Sequence, residues 1–488
     1  MTAPSEPATG WTIRQAGGAT LPEDVRANLR DAVRVGLDAV GIPLDLPTQM
    51  GLEADDELTA GEVAQVGVHL SCVADLDKIL SDLDLTRIEV SFGGAPTAPM
   101  IYAAFLRHAK TRGLDPSRLR GVFAGDILNE YVAYGTFIYP PAAALRLACD
   151  MIAFSLRETP GIVPLTVSGF HAREAGCTAA QEIGIALAFA EQYAVALRKK
   201  GVEPSEAASA MAILMNATSD LPGEIAKFRA LRGVWATAMR AAFGVDVPLP
   251  RLHVRTSAAA YTGAQPEINI ARGLLAALAA VAGGAHTITV APFDAVSGLP
   301  SAIAQQIAIQ TQRVLAVESG AAELRGFFDS DETTRRAEAV EAEALTVVEK
   351  IRGWGGALAA IESGRLQRYV GEAADAHFAQ LDSGRFAKVG ETVFAEAISN
   401  DRIPAPRTKV DPATARAFYT TRLRERVASR DASAHRAAQG ALAEAARGPK
   451  ADLMPAIIAA TDADATVAEI TRALKSVFGG FGDEMAGI

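Results

Sequence analysis

Four polar side chains in the 488-residue sequence combine residue type and position in a way that could do chemistry. His171 directly follows a short apolar run, Glu174 comes three residues later, and Arg255 stands at the end of another run. Tyr134 lies in a loop that contains glycine and proline. A histidine in this place can donate a hydrogen bond to a carbonyl group, and an arginine suits an anionic ligand group. These residues predict an enzyme site with some affinity for anions.

Each of these residues also has a structural alternative, which the sequence leaves open. His171 could cap the next helix or bond to a backbone carbonyl, and Arg255 could pair with a surface carboxylate. Asp126 also follows an apolar run, but an aspartate there is better placed to cap the following helix. Ser91 lacks the G-x-S-x-G frame of a serine nucleophile. The seven histidines show no H-E-x-x-H spacing, so we predict no metal site.

Short apolar runs alternate along the chain with longer stretches in which apolar residues recur at helical spacing. This alternation predicts a parallel sheet with helical crossovers. The predicted strands are residues 36–44, 87–92, 121–125, 163–169, 212–216, 251–256, 287–291 and, on a poor signal, 317–324. This number of units favours an α/β fold of the (β/α)8 TIM-barrel class over an open, doubly wound sheet. In a barrel, polar groups at the carboxyl ends of the strands meet at one mouth, where the chemistry takes place.

The sequence after the barrel predicts a C-terminal helical extension. Residues 329–364 and 413–447 are charged and rich in alanine, and Pro404 and Pro406 mark a linker between them. Residues 466–478 have apolar residues at helical spacing and stop before Gly479, a predicted C-cap. The predicted domains are a disordered tail at 1–10, the barrel at 11–345 and the helical extension at 346–488.

Composition and charge exclude several classes of protein. The net charge of −10 argues against a nucleic-acid partner, because phosphates call for clustered lysine and arginine. No run of eighteen apolar residues predicts a membrane span, and the first residues lack the pattern of a signal peptide. Three scattered cysteines are too few for a disulfide framework. We therefore expect a cytoplasmic protein without a membrane partner.

Several stretches of the sequence resemble the adenosylcobalamin-dependent acyl-CoA mutase family, to which methylmalonyl-CoA mutase belongs. They occur in the family's order and at nearly its spacing. The stretches are residues 11–15 (WTIRQ), 45–49 (DLPTQ), 61–63 (GEV), 66–68 (VGV), 125–130 (GDILNE), 137–141 (FIYPP), 168–171 (SGFH), 174–176 (EAG), 225–230 (IAKFRA) and 467–470 (VAEI).

The resemblance implies a radical rearrangement of the carbon skeleton of an acyl-CoA thioester. It implies that the acyl-CoA binds along the barrel axis and that adenosylcobalamin lies against the barrel mouth. His171 matches the family's histidine that donates to the thioester carbonyl, and Glu174 matches a glutamate near the corrin face. Ser91 and Arg255 match positions that meet the CoA moiety.

The sequence departs from the family's pattern at several of its functional positions. Tyr134 stands where methylmalonyl-CoA mutase has the arginine that holds the substrate carboxylate. A neutral phenol cannot form a bidentate charge pair, so we expect an acyl group that is not a free dicarboxylate. Ala295 stands where the family has the glutamate that grips the cofactor's ribose, and Ala124 replaces a glutamine. Only ten residues precede Trp11, where the family has a longer segment that carries an aromatic wedge.

The cobalamin-binding domain of the family, with its Asp-x-His-x-x-Gly motif, is expected after the helical linker. The sequence ends at Ile488 without that motif. We therefore expect a separate small subunit to supply adenosylcobalamin, if the cofactor is used.

Three functions follow from these observations. The chain could be the substrate-binding barrel subunit of a two-component mutase, with an acyl-CoA and a cobalamin-binding subunit as partners. It could instead be a degenerate subunit that docks on a second, active mutase chain, or a barrel with other chemistry. The helices at 413–447 and the apolar stripe at 466–478 are candidate contact surfaces of an oligomer, and a solvated appendage is the alternative.

Overall fold

The computed structural model describes residues 10–16, 20–323, 328, 330–383, 387–395 and 410–481. Almost all of the predicted tail and the linker at Pro404 and Pro406 lie outside these residues. The described residues form two compact units, which are treated separately below. The first unit comprises the described residues of Met1–Gln15, Val167–Gln192 and Ala212–Thr408. The second comprises those of Ala16–Thr166, Tyr193–Met211 and Lys409–Ile488.

The strands are short and almost entirely buried, as expected for a parallel sheet covered by helices. They are β1 (Thr12–Ala16), β2 (Ala39–Ile42), β3 (Glu89–Phe92), β4 (Gly121–Phe123), β5 (Ile162–Val163), β6 (Leu165–Ser168), β7 (Met211–Ala217), β8 (Arg251–Thr256) and β9 (Thr287–Thr289).

Helices follow the strands along the chain. They are α1 (Pro22–Arg34), α2 (Leu46–Gln49), α3 (Val73–Leu80), α4 (Ala98–Thr111), α5 (Ile127–Asn129), α6 (Pro141–Glu158), α7 (Phe170–Glu174), α8 (Ala179–Arg198), α9 (Pro204–Ser209), α10 (Leu221–Phe243), α11 (Asn269–Ala282), α12 (Ala302–Val317), α13 (Asp331–Gly353), α14 (Ala357–Glu362), α15 (Arg365–Asp382), α16 (Pro412–Ser429), α17 (Ala432–Arg447), α18 (Met454–Asp462) and α19 (Val467–Phe478).

The strand order is that of the predicted barrel class. It runs β5-β4-β3-β2-β1-β9-β8-β7-β6. The strands at its two ends, β5 and β6, are consecutive pieces of the chain that only Pro164 separates. Proline has no N–H to donate to a strand ladder, so it divides one strand into two. Because β5 and β6 are two parts of one strand, the strand order closes on itself and contains eight strand positions. This confirms the α/β fold of the TIM-barrel type.

The prediction of the eighth strand at 317–324 was wrong. Helix α12 continues to Val317, and Ala321–Glu323 form a 3-10 turn. Between them Gly320 has a φ of +67°, which is a left-handed conformation and interrupts any strand. The eighth strand of the barrel is instead β1, which pairs in parallel with β9 through Thr12 and Thr287.

In the first unit, parallel pairing joins β7 to β8 and β8 to β9. Helix α10 packs against α11 and against α13 of the predicted extension. Arg352, near the end of α13, donates to the carboxylate of Glu191 at distances of 2.8 to 3.1 Å. The predicted domain boundary between residues 345 and 346 lies inside α13 and stays a prediction.

In the second unit, strands β2 to β5 pair in parallel. Buried rings fill the space beside β3 and β4, with Phe92 stacked on Phe123 at a centroid distance of 5.2 Å. Tyr102 and Phe105 of α4 meet the Phe123 ring edge-on. Large aromatic side chains therefore form much of this core.

Helices α16 to α19 pack onto the same unit. Arg422 of α16 lies 2.6 Å from the Asp75 carboxylate, and Arg146 donates to the carbonyls of Ala446, Gly448 and Ala451. The apolar stripe of α19 contacts α17 and α4. This stripe is therefore buried within the chain, although the sequence offered it as a surface of an oligomer. Gly479 is the C-cap of α19, as predicted, with a φ of +79°.

No helix in the described part of the chain is long and apolar enough to cross a membrane.

We expect Leu474→Ala to destabilise the second unit by about 2 to 5 kcal/mol, because Leu474 is fully buried in α19 and its loss leaves a cavity. Urea unfolding of the intact chain measures the change. The neighbouring Lys475 is exposed, so Lys475→Ala should change the stability by no more than about 0.5 kcal/mol. Equal stability of the two variants would show that α19 is not part of the packed core.

Candidate functional site

A tight strand-to-helix connection places His171 and Glu174 in the first unit. The N–H of Gly169 donates to the Leu214 carbonyl at 3.0 Å, so the chain turns directly from β6 into α7. A Cβ at Gly169 would lie only 2.7 Å from the carbonyl oxygen of Glu182. Only glycine fits this close approach, and the fit fixes where α7 begins.

His171 is partly buried at the start of α7. Its Nδ1 is hydrogen-bonded to the Ser168 hydroxyl at 2.9 Å, and its ring meets Phe170 edge-on. Burial, helped by the positive charge of Arg255, lowers the pKa of His171 to about 3. The imidazole is therefore neutral at physiological pH, and a neutral imidazole can donate a hydrogen bond to a carbonyl without placing a charge there.

Arg255 lies near the end of β8 with an exposed side chain. Its guanidinium carbon is 5.2 Å from the centre of the Phe170 ring, at a distance that permits a cation–π interaction. Among the residues that the structure describes, no carboxylate lies within ion-pair distance of Arg255. Its positive charge therefore lies beside α7 and has no ion-pair partner among the described residues.

Glu174 is held by three hydrogen bonds from the ends of two neighbouring strands. The side chains of Asn216 and Ser257 donate to its Oε1, the former at 2.6 Å. The backbone N–H of Ala259 donates to Oε2 at 3.2 Å. Three donors fix the carboxylate in one orientation, and it remains partly exposed.

Ala295 begins a 3-10 turn, Ala295–Ser297, in the same unit. Its methyl group can neither donate nor accept a hydrogen bond. The preceding Asp294 is buried, and its Oδ2 accepts from the N–H of Ser301 at 2.9 Å. The position therefore offers no polar side-chain atom to a ligand.

Ser91 and Tyr134 belong to the second unit. Ser91 lies on β3 and is the one residue of that strand that is not fully buried. Tyr134 ends a π-helical turn, Glu130–Tyr134, and Gly135 follows with a φ of +94°. Such turns are frequent at functional sites, and here 46% of the tyrosine side chain is exposed.

The structure thus brings His171, Glu174 and Arg255 together around α7. Sequence reasoning missed the residues that hold Glu174, which are Asn216 and Ser257. The position of both residues at strand ends was a usable signal, because strand ends meet in a barrel. Asp126, by contrast, caps α5 as predicted, with its side chain accepting from the N–H of Asn129.

Comparison with known proteins identifies the family. The family model described as Methylmalonyl-CoA mutase matches residues 7–480, which is nearly the whole chain. The chain belongs to the methylmalonyl-CoA mutase family. This is a family of isomerases, and membership agrees with the barrel fold described above.

Curated relatives in this family include several mutases. The chain is 32% identical over 476 residues to the 2-hydroxyisobutanoyl-CoA mutase large subunit of Aquincola tertiaricarbonis, with 96% of this chain and 84% of the relative covered. It is 30% identical over 486 residues to ethylmalonyl-CoA mutase of Methylorubrum extorquens, of which it covers 70%. It is 29% identical over 477 residues to methylmalonyl-CoA mutase of Rhizobium meliloti, of which it covers 66%. The chain therefore spans about two thirds of the length of the latter two relatives.

We expect the His171 ring to remain neutral down to pH 5, because burial and the Arg255 charge both disfavour the imidazolium. Arg255→Gln should raise the pKa of His171, since it removes the repelling positive charge. NMR titration of isotope-labelled histidine, assigned with His171→Gln, measures both values.

Arg251→Gln is the matched control for this titration, because Arg251 is also exposed on β8 and does not contribute to the shift of His171. A His171 titration midpoint near the ordinary value of 6.5 in the unsubstituted protein would contradict the burial of this ring.

Proposed function

We propose that this chain is the substrate-binding barrel subunit of a two-component, adenosylcobalamin-dependent acyl-CoA mutase. The substrate would be an acyl-CoA thioester whose acyl group has no free second carboxylate. The observation that carries the proposal is the position of His171, hydrogen-bonded to Ser168 just past the carboxyl end of β6, with Arg255 beside the same helix. Family membership supports it, because the relatives named above are mutases of acyl-CoA compounds.

In this proposal, His171 binds the thioester carbonyl. A neutral imidazole donor stabilises partial negative charge on a carbonyl oxygen, and the Ser168 hydrogen bond restricts rotation of the ring. Arg255 would bind an anionic part of CoA, with its side chain ordered against Phe170. Ser91 is proposed to meet the CoA moiety as well.

The residues around α7 fit adenosylcobalamin in part. Glu174 offers a partly exposed carboxylate in a fixed orientation, which suits hydrogen-bond donors of the cofactor. Ala295 offers no acceptor for the ribose, so of these two positions only Glu174 could hydrogen-bond to the cofactor. When bound, adenosylcobalamin supplies the radical chemistry of the reaction. The chain's own part is to hold the acyl group and to exclude water.

The class of acyl group is proposed from Tyr134. A phenol donates one hydrogen bond and carries no charge, whereas a guanidinium binds a carboxylate through two charge-assisted bonds. Tyr134 therefore favours an acyl group with a hydroxyl or an apolar end. The relative with the higher coverage acts, by its name, on 2-hydroxyisobutanoyl-CoA.

The proposed partner is a separate cobalamin-binding subunit. That same relative is named a large subunit, and 84% of it is covered by this chain. We further propose a cytoplasmic location and an oligomeric assembly for the working enzyme.

The second candidate function is a degenerate subunit that docks on an active mutase chain and does no chemistry. The lack of a polar side chain at Ala295 favours it, because a subunit that holds no cofactor needs no acceptor there.

Reconstitution tests the proposal directly. The chain would be mixed with the cobalamin-binding subunit, adenosylcobalamin and a panel of acyl-CoA thioesters, with product isomers and the paramagnetic radical signal measured. We expect turnover of at least one thioester. His171→Ala should lower kcat/KM about 100-fold because the carbonyl loses its donor, while Lys475→Ala should leave it unchanged. If no thioester of the panel is turned over and the chain binds tightly to another mutase chain, the degenerate subunit would replace this proposal.

We expect Tyr134→Arg to shift substrate preference toward acyl groups with a free carboxylate. The new guanidinium can form two hydrogen bonds to such a group, so the ratio of kcat/KM for carboxylated over neutral thioesters should rise about tenfold or more. Tyr134→Gln, which is polar but uncharged, should leave this ratio within about threefold of the original. An unchanged ratio in Tyr134→Arg would show that residue 134 does not meet the acyl group.

A further inference from the structure

A lysine lies completely buried between two carboxylates in the first unit. The Nζ of Lys227, on α10, is 2.9 Å from Glu182 Oε2 and 2.5 Å from Glu224 Oε2, and none of the three side chains is more than 4% exposed. Burial raises the pKa of Glu182, and the Lys227 charge opposes the shift. A buried ion pair of this kind is rarely worth more to stability than apolar residues of the same volume. Its geometry therefore suggests a purpose other than stability.

The buried cluster of Lys227, Glu182 and Glu224 forms hydrogen bonds to the backbone at the end of β7. Lys227 Nζ donates to the carbonyl of Asn216 at 2.6 Å, and the N–H of Asn216 donates to Glu182 Oε1 at 2.5 Å. Both polar groups of one backbone residue are thus bound by the same pair of opposite charges. Charge-assisted hydrogen bonds are short and strong, so this residue has little freedom.

The side chain of Asn216 connects the buried cluster to Glu174 of the candidate site. Asn216 is fully buried, and its Nδ2 donates to Glu174 Oε1 at 2.6 Å. Glu182 also packs behind Gly169, where α7 begins. The cluster therefore contacts the start of α7 through Glu182 and reaches its end, at Glu174, through Asn216.

We propose that Lys227 and Asn216 are positioning residues, which hold the Glu174 carboxylate in the orientation that the cofactor meets. The inference rests on the function proposed above, because the orientation of Glu174 matters to chemistry only if that site takes the corrinoid. Lys227 fixes the backbone of Asn216, and Asn216 fixes Glu174.

The test replaces the Asn216 amide with a carboxyl group, which donates a hydrogen bond only when it is protonated. In Asn216→Asp, a protonated carboxyl can donate to Glu174 as the amide does, whereas an ionised carboxylate repels it. In Asn216→Ala the donor is absent at every pH. The backbone contacts of residue 216 to Glu182 and Lys227 remain in both variants.

The first measurement is hydrogen exchange of the Ala259 N–H in the isolated chain, because this group donates to Glu174. Protection is compared with the unsubstituted protein at each pH. Asn216→Ala should lose protection about tenfold throughout. Asn216→Asp should be protected normally in acid and lose protection as the pH rises. A residue with only a structural role would not produce this reversible pH dependence.

The second measurement is the affinity of the reconstituted complex for adenosylcobalamin, followed by its absorbance. Asn216→Ala should raise the Kd about tenfold, since the free carboxylate must be ordered on binding. Lys475→Ala is the control, because Lys475 is exposed on α19 and does not belong to the buried cluster. We expect this control to stay within about twofold of the original.

The role of Lys227 needs a paired substitution, because Lys227→Met alone would leave two buried carboxylates without their cation and could prevent folding. Lys227→Met is paired with Glu182→Gln and Glu224→Gln, which leaves no charge in the cluster and keeps an acceptor for the Asn216 N–H. We expect it to fold and to lose Ala259 protection as Asn216→Ala does.

The outcomes separate this inference from the proposed function. If the unsubstituted complex turns over an acyl-CoA, and both Asn216 variants match it in exchange and affinity at every pH, the positioning role is overturned and the function stands. If no thioester is turned over but the Ala259 exchange follows the pattern above, the function fails and the control of Glu174 by Asn216 stands. Normal Ala259 protection in the paired Lys227 variant would remove Lys227 from the inference.

Discussion

The structure of the first unit depends on one buried positive charge and its neutralisation. Lys227 is fully buried, and an unpaired ammonium in such a place would be far too unfavourable to keep. It therefore has to meet Glu182 of α8 and Glu224 of its own helix, which fixes α8 against α10. The remaining donors and acceptors of this cluster bind the end of β7, and Glu182 closes against Gly169. The geometry of α7, with His171 and Glu174, follows from that arrangement.

Much of the fold could be predicted because burial in a parallel barrel leaves a simple pattern. Seven strands were found as short apolar runs between helical stretches, since both faces of each strand are covered. The strand β1 was not predicted, because its sequence, TIRQA, carries an arginine and a glutamine and is buried at only two of its five residues. The region proposed in its place contains Val317 and Ala321, which are apolar but belong to a helix and to a 3-10 turn. Local apolarity does not reveal which partner a segment will pair with.

The candidate site could be predicted only in part, for a related reason. His171 and Glu174 stand immediately after a strand, where position alone suggests chemistry, and the family resemblance supplies their implied roles. The groups that hold Glu174 lie 42 and 83 residues further along the chain, at Asn216 and Ser257. Nothing near Lys227 in the sequence marks it as buried, because a lysine at helical spacing ordinarily faces water. Contacts between residues that are distant in the sequence form only in the folded chain, so the pattern of a single sequence does not predict them.

The packing of α16 to α19 onto the second unit has a consequence for how the chain matures on the ribosome. The Thr466 hydroxyl donates to Glu53, 413 residues earlier, and the Tyr419 hydroxyl donates to the carbonyl of Thr20. Roughly 240 residues separate Thr166 from Lys409, and at about 5 to 20 residues per second their synthesis takes on the order of 10 to 50 s. During that interval β2 to β5 and helices α1 to α6 have been made, but helices α16 to α19, which pack onto them, do not yet exist. The nascent chain therefore exposes apolar surface for seconds, so its yield in the cell depends on chaperone capacity as well as on the stability of the finished protein.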